Sequence, residues 1–153
     1  HTKTPSVLAL TRQNLPTVRG ASTENLSAKG GYVLEEKSEA DISLIATGSE
    51  VSLALDVAAR CAQEGIGARV ISMPCVDLFL QQDKTYQAAV LGSVPRISIE
   101  AGRTDPWKII VGDQGLAIGI DSFGASAPGD VLYAHFKLNP EDIYQKIKQH
   151  LEK

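Results

Sequence analysis

The hydrophobic pattern of this chain changes period along its length, and the changes mark its elements. Residues 5–12 carry the aliphatic and β-branched content of a strand, which runs into Arg12, Gln13 and Asn14 before Pro16 bars any return to a ladder. Residues 13–31 hold no sustained period and are punctuated by Pro and Gly, as a linker is. Beyond Gly30 the pattern becomes regular. Gly31–Glu36 predicts a short strand, Ile42–Ala46 a buried strand and Glu50–Glu64 a helix. In that helix Val51, Ala54, Leu55, Ala58 and Ala62 share a face, Thr47 and Glu50 match a capping box, and Gly65 suits the stop. Ala68–Ser72 predicts the next strand, ended by Met73 and Pro74, and a second helix fits within Lys84–Leu91. Arg96–Glu100 and Leu116–Ile120 read as further strands, while Trp107–Val111 is too short to assign. "FGASAPGD", residues 123–130, reads as a turn before a short helix near Val131–Phe136. The last helix carries a full set of signals: Asn139 as cap, Pro140 in the first turn, Glu141 and Asp142 against the dipole, and Ile143, Ile147 and Leu151 as its apolar stripe. Alternating strands and helices predict an α/β fold.

Composition narrows the functional classes. At 153 residues the chain has the size of one ordinary domain, which buries roughly 70% of the surface its unfolded form exposes. A formal net charge of −3 without any basic run argues against a nucleic-acid interface. No apolar run approaches the roughly 20 residues of a membrane span and no signal-peptide pattern opens the chain, so a soluble, cytoplasmic protein is expected. Cys61 and Cys75 form no CxxC and are expected to stay free, and His1, His135 and His150 are too scattered for a zinc site. The first residue is His, which suggests a processed or truncated piece.

Five features invite a chemical reading, each beside a plainer one. "IATGSEV", residues 45–51, sets Thr47, Gly48 and Ser49 between a buried strand and a helix N-terminus, where an anion could bind, although simple capping explains the same residues. "GDQG", residues 112–115, invites comparison with the Gly-Asp-Gly motif of thiamine-diphosphate metal sites. Gln114 replaces its second glycine, and Asn139, at a plausible distance downstream, already has a cap to form. Glu100 ends a strand at the sheet edge where α/β sites lie, yet has no His, Cys or Lys partner fixed by sequence, so capping or an interface competes with catalysis. His150 lies beside the stripe of the last helix, as a surface residue would. Arg12 ends a strand with a rigid five-donor fork that matches phosphate or carboxylate oxygens, and a structural ion pair is its alternative.

Taken in order, "PSVLALTRQNLP", "KGGYVL", "IATGSEVSLA", "ARVISMPC", "VPRISIEAG", "IGIDSFGASAP" and "HFKLNPEDI" resemble the C-terminal part of transketolase over nearly the whole chain. The resemblance implies a three-layer α/β/α sandwich around a mixed, mostly parallel five-stranded sheet with one antiparallel strand. It makes residues 1–30 the tail of a preceding pyrimidine-binding domain with a linker, and residues 31–153 the C-terminal domain. It gives Arg12 a contact to the phosphate of a sugar-phosphate substrate and assigns no catalytic, cofactor or metal residue to the chain. The full-length enzyme would be a homodimer that transfers a two-carbon ketol unit between sugar phosphates with thiamine diphosphate and Mg2+ or another divalent metal. The isolated chain would then be inactive. Deoxyxylulose-phosphate synthase, the E1 component of 2-oxo-acid dehydrogenases and a stand-alone regulatory or interaction module remain as alternatives, with Thr11–Pro16 favouring transketolase.

Overall fold

The computed structural model describes residue 5 and residues 7–20, 24–37 and 39–152. Its elements run β1 (Tyr32–Glu36), β2 (Ile42–Ala46), α1 (Glu50–Ala62), β3 (Ala68–Ser72), α2 (Val76–Leu80), α3 (Lys84–Leu91), β4 (Arg96–Ile99), α4 (Lys108–Val111), β5 (Leu116–Ile118), α5 (Gly129–His135) and α6 (Pro140–Leu151). Single 3-10 turns at Leu26–Lys29 and Asp105–Trp107 precede β1 and α4.

The five strands lie in the order β1-β3-β2-β4-β5, with β1 antiparallel to β3 and every other pair parallel. Parallel neighbours need crossovers, and the helices supply them on both faces. Ile42, Leu44, Val70, Ile97 and Ile99 point to one face, where α1 adds Val51, Ala54, Val57 and Cys61 and α6 adds Ile143, Tyr144 and Ile147. Ile45, Ile71 and Met73 point to the other, against Phe79 of α2, Val90 and Leu91 of α3, and Trp107 and Ile110 at α4. This is the three-layer sandwich with one antiparallel strand. Between the layers, the buried Ser43 Oγ donates to the Leu91 carbonyl at 2.8 Å, satisfying a hydroxyl inside a central strand.

Local sequence explains most boundaries. Gly65 adopts φ +77° and Ile66 N donates back to Cys61 O at 3.1 Å, closing α1 with a left-handed stop. Asn139 Oδ1 accepts from Asp142 N at 3.0 Å, capping α6 as its spacing predicts. Gly30, at φ +80°, brings its backbone against α2, where an added Cβ would lie 2.3 Å from Phe79 N.

Several expectations are corrected. Residue 5 and residues 7–12 form no strand, and Val7, Leu8 and Leu10 are 92%, 83% and 81% exposed; Ser6, within the expected strand, lies outside the described residues. A strand exists only when a neighbour completes its ladder, and none of the described residues pairs with this stretch. Thr47 and Glu50 form no capping box: the N-cap of α1 is Ser49, with helical φ and ψ and no side-chain cap bond. The first N–H groups of α1 donate to the Thr47 and Gly48 carbonyls instead. α1 ends at Ala62, which is exposed, and its buried face includes Val57 and Cys61. Leu151, the last residue of α6, is 39% exposed, and Tyr144 joins Ile143 and Ile147 in the core instead. α2 was absent from the periodicity: five residues are less than two turns, too few to show a helical repeat.

Candidate functional site

The chain leaves β2 toward β3 on one side and returns to β4 on the other, so the carboxyl ends of β2 and β4 frame the crevice where ligands collect in open α/β sheets. Ala46 lies opposite Ile99 in that pair. One tight turn beyond Ala46, Glu50 opens α1; immediately beyond Ile99 comes Glu100. The topology therefore brings two acids, distant in sequence, to one point.

Glu50 is 4% exposed, and its Oε1 accepts from Ser49 Oγ at 2.9 Å and from the Tyr133 hydroxyl of α5. Burial, and then the neighbouring Glu50 carboxylate, push the Glu100 carboxyl up to about 7. Its Oε2 is shielded from solvent with no hydrogen-bond partner among the described residues. The Tyr133 phenol is likewise raised, by burial first and by Glu50 next. A shallow apolar hollow of about 210 Å3, lined by Ala101, Ile120, Leu132, Tyr133, Phe136 and Leu138, adjoins this group. Two acids, a phenol and a serine can hold and pass a proton, but they provide no activated nucleophile.

Arg12 is exposed and makes no ion pair or hydrogen bond with any described residue. Its neighbour Gln13 folds back on Thr11, with backbone and side-chain nitrogens each 3.2 Å from Thr11 Oγ1.

The other candidates do not converge there. The Thr47–Ser49 turn is closed by its own backbone, the first N–H groups of α1 donating to the Thr47 and Gly48 carbonyls, and the buried Glu50 follows immediately. "GDQG" lies in the turn before β5, at the amino end of that strand, with Asp113 exposed. Asn139 is engaged in its cap, its Nδ2 also 2.6 Å from Asp142 Oδ2. His150 Nε2 lies 3.0 Å from the Gln114 carbonyl, and the His135 ring packs edge-on against Phe136. His1 lies outside the described residues. Cys61 and Cys75 are free, and burial raises the Cys61 thiol to about 11. Among the described residues, no group of three metal-ligating side chains occurs and no helix is long and apolar enough to cross a membrane.

Sequence reasoning singled out Glu100 and Arg12 but missed Tyr133 and the pairing of Glu100 with Glu50. Each acid follows a predicted strand, so their edge was legible; that β2 neighbours β4 was not.

Comparisons with known proteins agree on one family. Residues 30–139 match the family model described as the transketolase-like TK C-terminal domain. The chain is 46% identical over 151 residues to a transketolase of Cereibacter sphaeroides, covering 98% of this chain and 23% of that protein. It is 50% identical over 150 residues to the plasmid transketolase of Cupriavidus necator, covering 97% and 22%. Among solved structures, Pichia stipitis transketolase in complex with sedoheptulose-7-phosphate superposes with a TM-score of 0.83 at 37% identity, over 92% of this chain and 20% of that one. The chain therefore spans less than a quarter of the length of these relatives.

Proposed function

The chain belongs to the transketolase family, matched over its C-terminal domain, and from that membership we propose that it serves as the carboxyl-terminal part of a transketolase. The longer enzyme would transfer a two-carbon ketol unit between sugar phosphates in the cytoplasm, as a homodimer, with thiamine diphosphate and Mg2+. We divide the chain into a tail of the pyrimidine-binding domain with a linker, residues 1–30, and the C-terminal domain, residues 31–153. Relatives named transketolase, matched across nearly the whole chain, support this reading over the sister enzymes and over an independent module.

The described residues do not fit the cofactor or its metal. They include no cluster of metal ligands, Asp113 stands exposed on a turn, and Asn139 spends both amide atoms on α6. Catalytic steps on the cofactor are accordingly assigned to the rest of the longer protein, and this chain contributes Arg12 as a substrate-binding group.

One observation supports the Arg12 assignment: its guanidinium is exposed, with no acid paired to it among the described residues. A planar fork in that state suits a phosphate dianion. The phosphate lies remote from the reacting carbonyl in a phosphorylated ketose, so the contact binds ground and transition states alike. In the longer enzyme, Arg12→Ala is expected to raise KM for phosphorylated sugars and to lower their kcat/KM about ten-fold to about a hundred-fold, the loss of one charge-assisted contact. Turnover of an unphosphorylated analogue stays nearly unchanged. Equal losses on both substrates would show that Arg12 supports the fold rather than the phosphate.

A further inference from the structure

The residues that lead into β1 have the composition of a linker, yet the structure holds them on the domain by contacts that a free tether does not make. Such a segment keeps its conformational freedom unless specific groups offset the loss. Arg19, only partly exposed, lies with Cζ 5.4 Å from the centre of the Tyr32 ring at the start of β1. Its guanidinium also donates to the Glu24 carbonyl. Lys29, the last residue of the 3-10 turn, places Nζ 4.7 Å from the centre of the Tyr86 ring of α3 and 3.5 Å from Glu24 Oε1. Glu24 therefore joins the two cations, one through its carbonyl and the other through its carboxylate. Each cation faces an aromatic ring of the domain, and Tyr32 is 9% exposed, so its ring meets Arg19 with little water between.

The backbone is fixed as firmly as the side chains. The Tyr86 hydroxyl donates to the Gly31 carbonyl at 2.8 Å, and Cys75 N donates to the Gly30 carbonyl at 2.9 Å. Both glycines are buried, and at Gly31 an added Cβ would lie 2.5 Å from Met73 Sδ. Only chain without side chains passes that closely between β1, α2 and α3. Ahead of Arg19 the picture changes. Asn14–Val18 make no hydrogen bond, ion pair or ring contact with any described residue, and Leu15 and Val18 are 44% and 39% exposed.

We propose that residues 24–31, with Arg19 folded onto them, form a strap clamped to the domain by Tyr32 and Tyr86, so that the pivot between tail and domain lies ahead of Arg19. A free linker over residues 13–31 would let the tail range over roughly 65 Å, whereas Gln13–Val18 alone reach roughly 20 Å. The strap thus couples the Arg12 segment closely to the sheet. What that coupling does in a longer enzyme rests on the reading given above; the docking of the strap does not.

Limited trypsin digestion of this chain tests it, because cleavage points fall after Arg12, Arg19 and Lys29. The Arg12–Gln13 bond is expected to be cut first and the Lys29–Gly30 bond at least about ten-fold more slowly, since cleavage there requires the strap to lift. Tyr86→Phe keeps the ring beneath Lys29 and removes the hydroxyl that holds Gly31. In that variant, cleavage after Lys29 and hydrogen exchange at Cys75 N are expected to accelerate about two- to ten-fold, the loss of one hydrogen bond, with the β2 amides unchanged. Cleavage after Lys29 as fast as after Arg12 overturns the proposal. So does Tyr86→Phe with no effect on either readout, or with equal acceleration in β2, which would make the strap inseparable from the core. The wild-type digestion decides the docking even if the variant fails to fold. Both readouts are taken on this chain alone, so they fail or succeed separately from the kinetics that test Arg12.

Discussion

Glu100 Oε2 has no donor, while Glu50 Oε1 beside it accepts two hydroxyls, and this asymmetry sets a pH dependence for the whole fold. The Glu100 carboxyl stands near 7 in the folded chain against 4.5 for the ordinary group, so the folded state holds the proton more tightly than the unfolded one. Stability from this source is fully present below about pH 4.5 and is lost as pH rises through 7. The difference corresponds to about 2 kcal/mol once partial exposure of the side chain is allowed for. Glu100→Gln should flatten the profile, and urea denaturation at pH 5 and pH 8 checks it: a gap between the two pH values in the wild type, little in the variant. At Arg12, a Lys replacement restores only part of the binding lost in Arg12→Ala, since one ammonium cannot reproduce a planar fork.

The two principal helices of one face begin differently, and substitutions at their starts should separate them. Asn139 donates to and accepts from Asp142 at the start of α6, and Asn139→Ala is expected to cost about 1 kcal/mol. α1 has no side-chain cap bond, so Thr47→Ala is expected within about 0.5 kcal/mol of wild type. Thermal denaturation of both variants measures the contrast. Both starts looked alike in sequence: a polar residue with an acid three positions on. At α6, Pro140 and an extended Asn139 leave the amide facing the first turn. At α1, Gly48 takes φ +54° and Ser49 is already helical, and Glu50 is drawn into the sheet edge by Tyr133. α2 shows the converse, a helix held by its surroundings: Phe79 is fully buried, and Cys75 N donates to Gly30 O at 2.9 Å as α2 begins.

The whole molecule is one sheet between two apolar layers, and neither layer is dispensable. Leu44 faces α1 and α6, Ile71 faces α2 and α3, and both are fully buried. Leu44→Ala and Ile71→Ala are each expected to cost about 2–5 kcal/mol. Both should keep a single cooperative transition in urea, because the strands bearing them, β2 and β3, are hydrogen-bonded neighbours. Two separate transitions would mean that the layers unfold independently.

The amino-acid sequence by itself determined what short-range physics controls. The buried runs Ile42–Ala46 and Ala68–Ser72, helix α3, the stop at Gly65 and the cap at Asn139 were legible because each depends on residues within a few turns of one another. The combined run of motifs also carried the family, and with it the expectation of one antiparallel strand. Only the tertiary structure decided that β2 lies beside β4, that Glu50 and Glu100 consequently meet, and that Tyr133 joins them from α5. It also decided that the alternating tail before Pro16 has no ladder to join among the described residues. Hydrophobic period states which face of an element is apolar; the strand order that follows from crossovers and packing determines which distant side chains share a site.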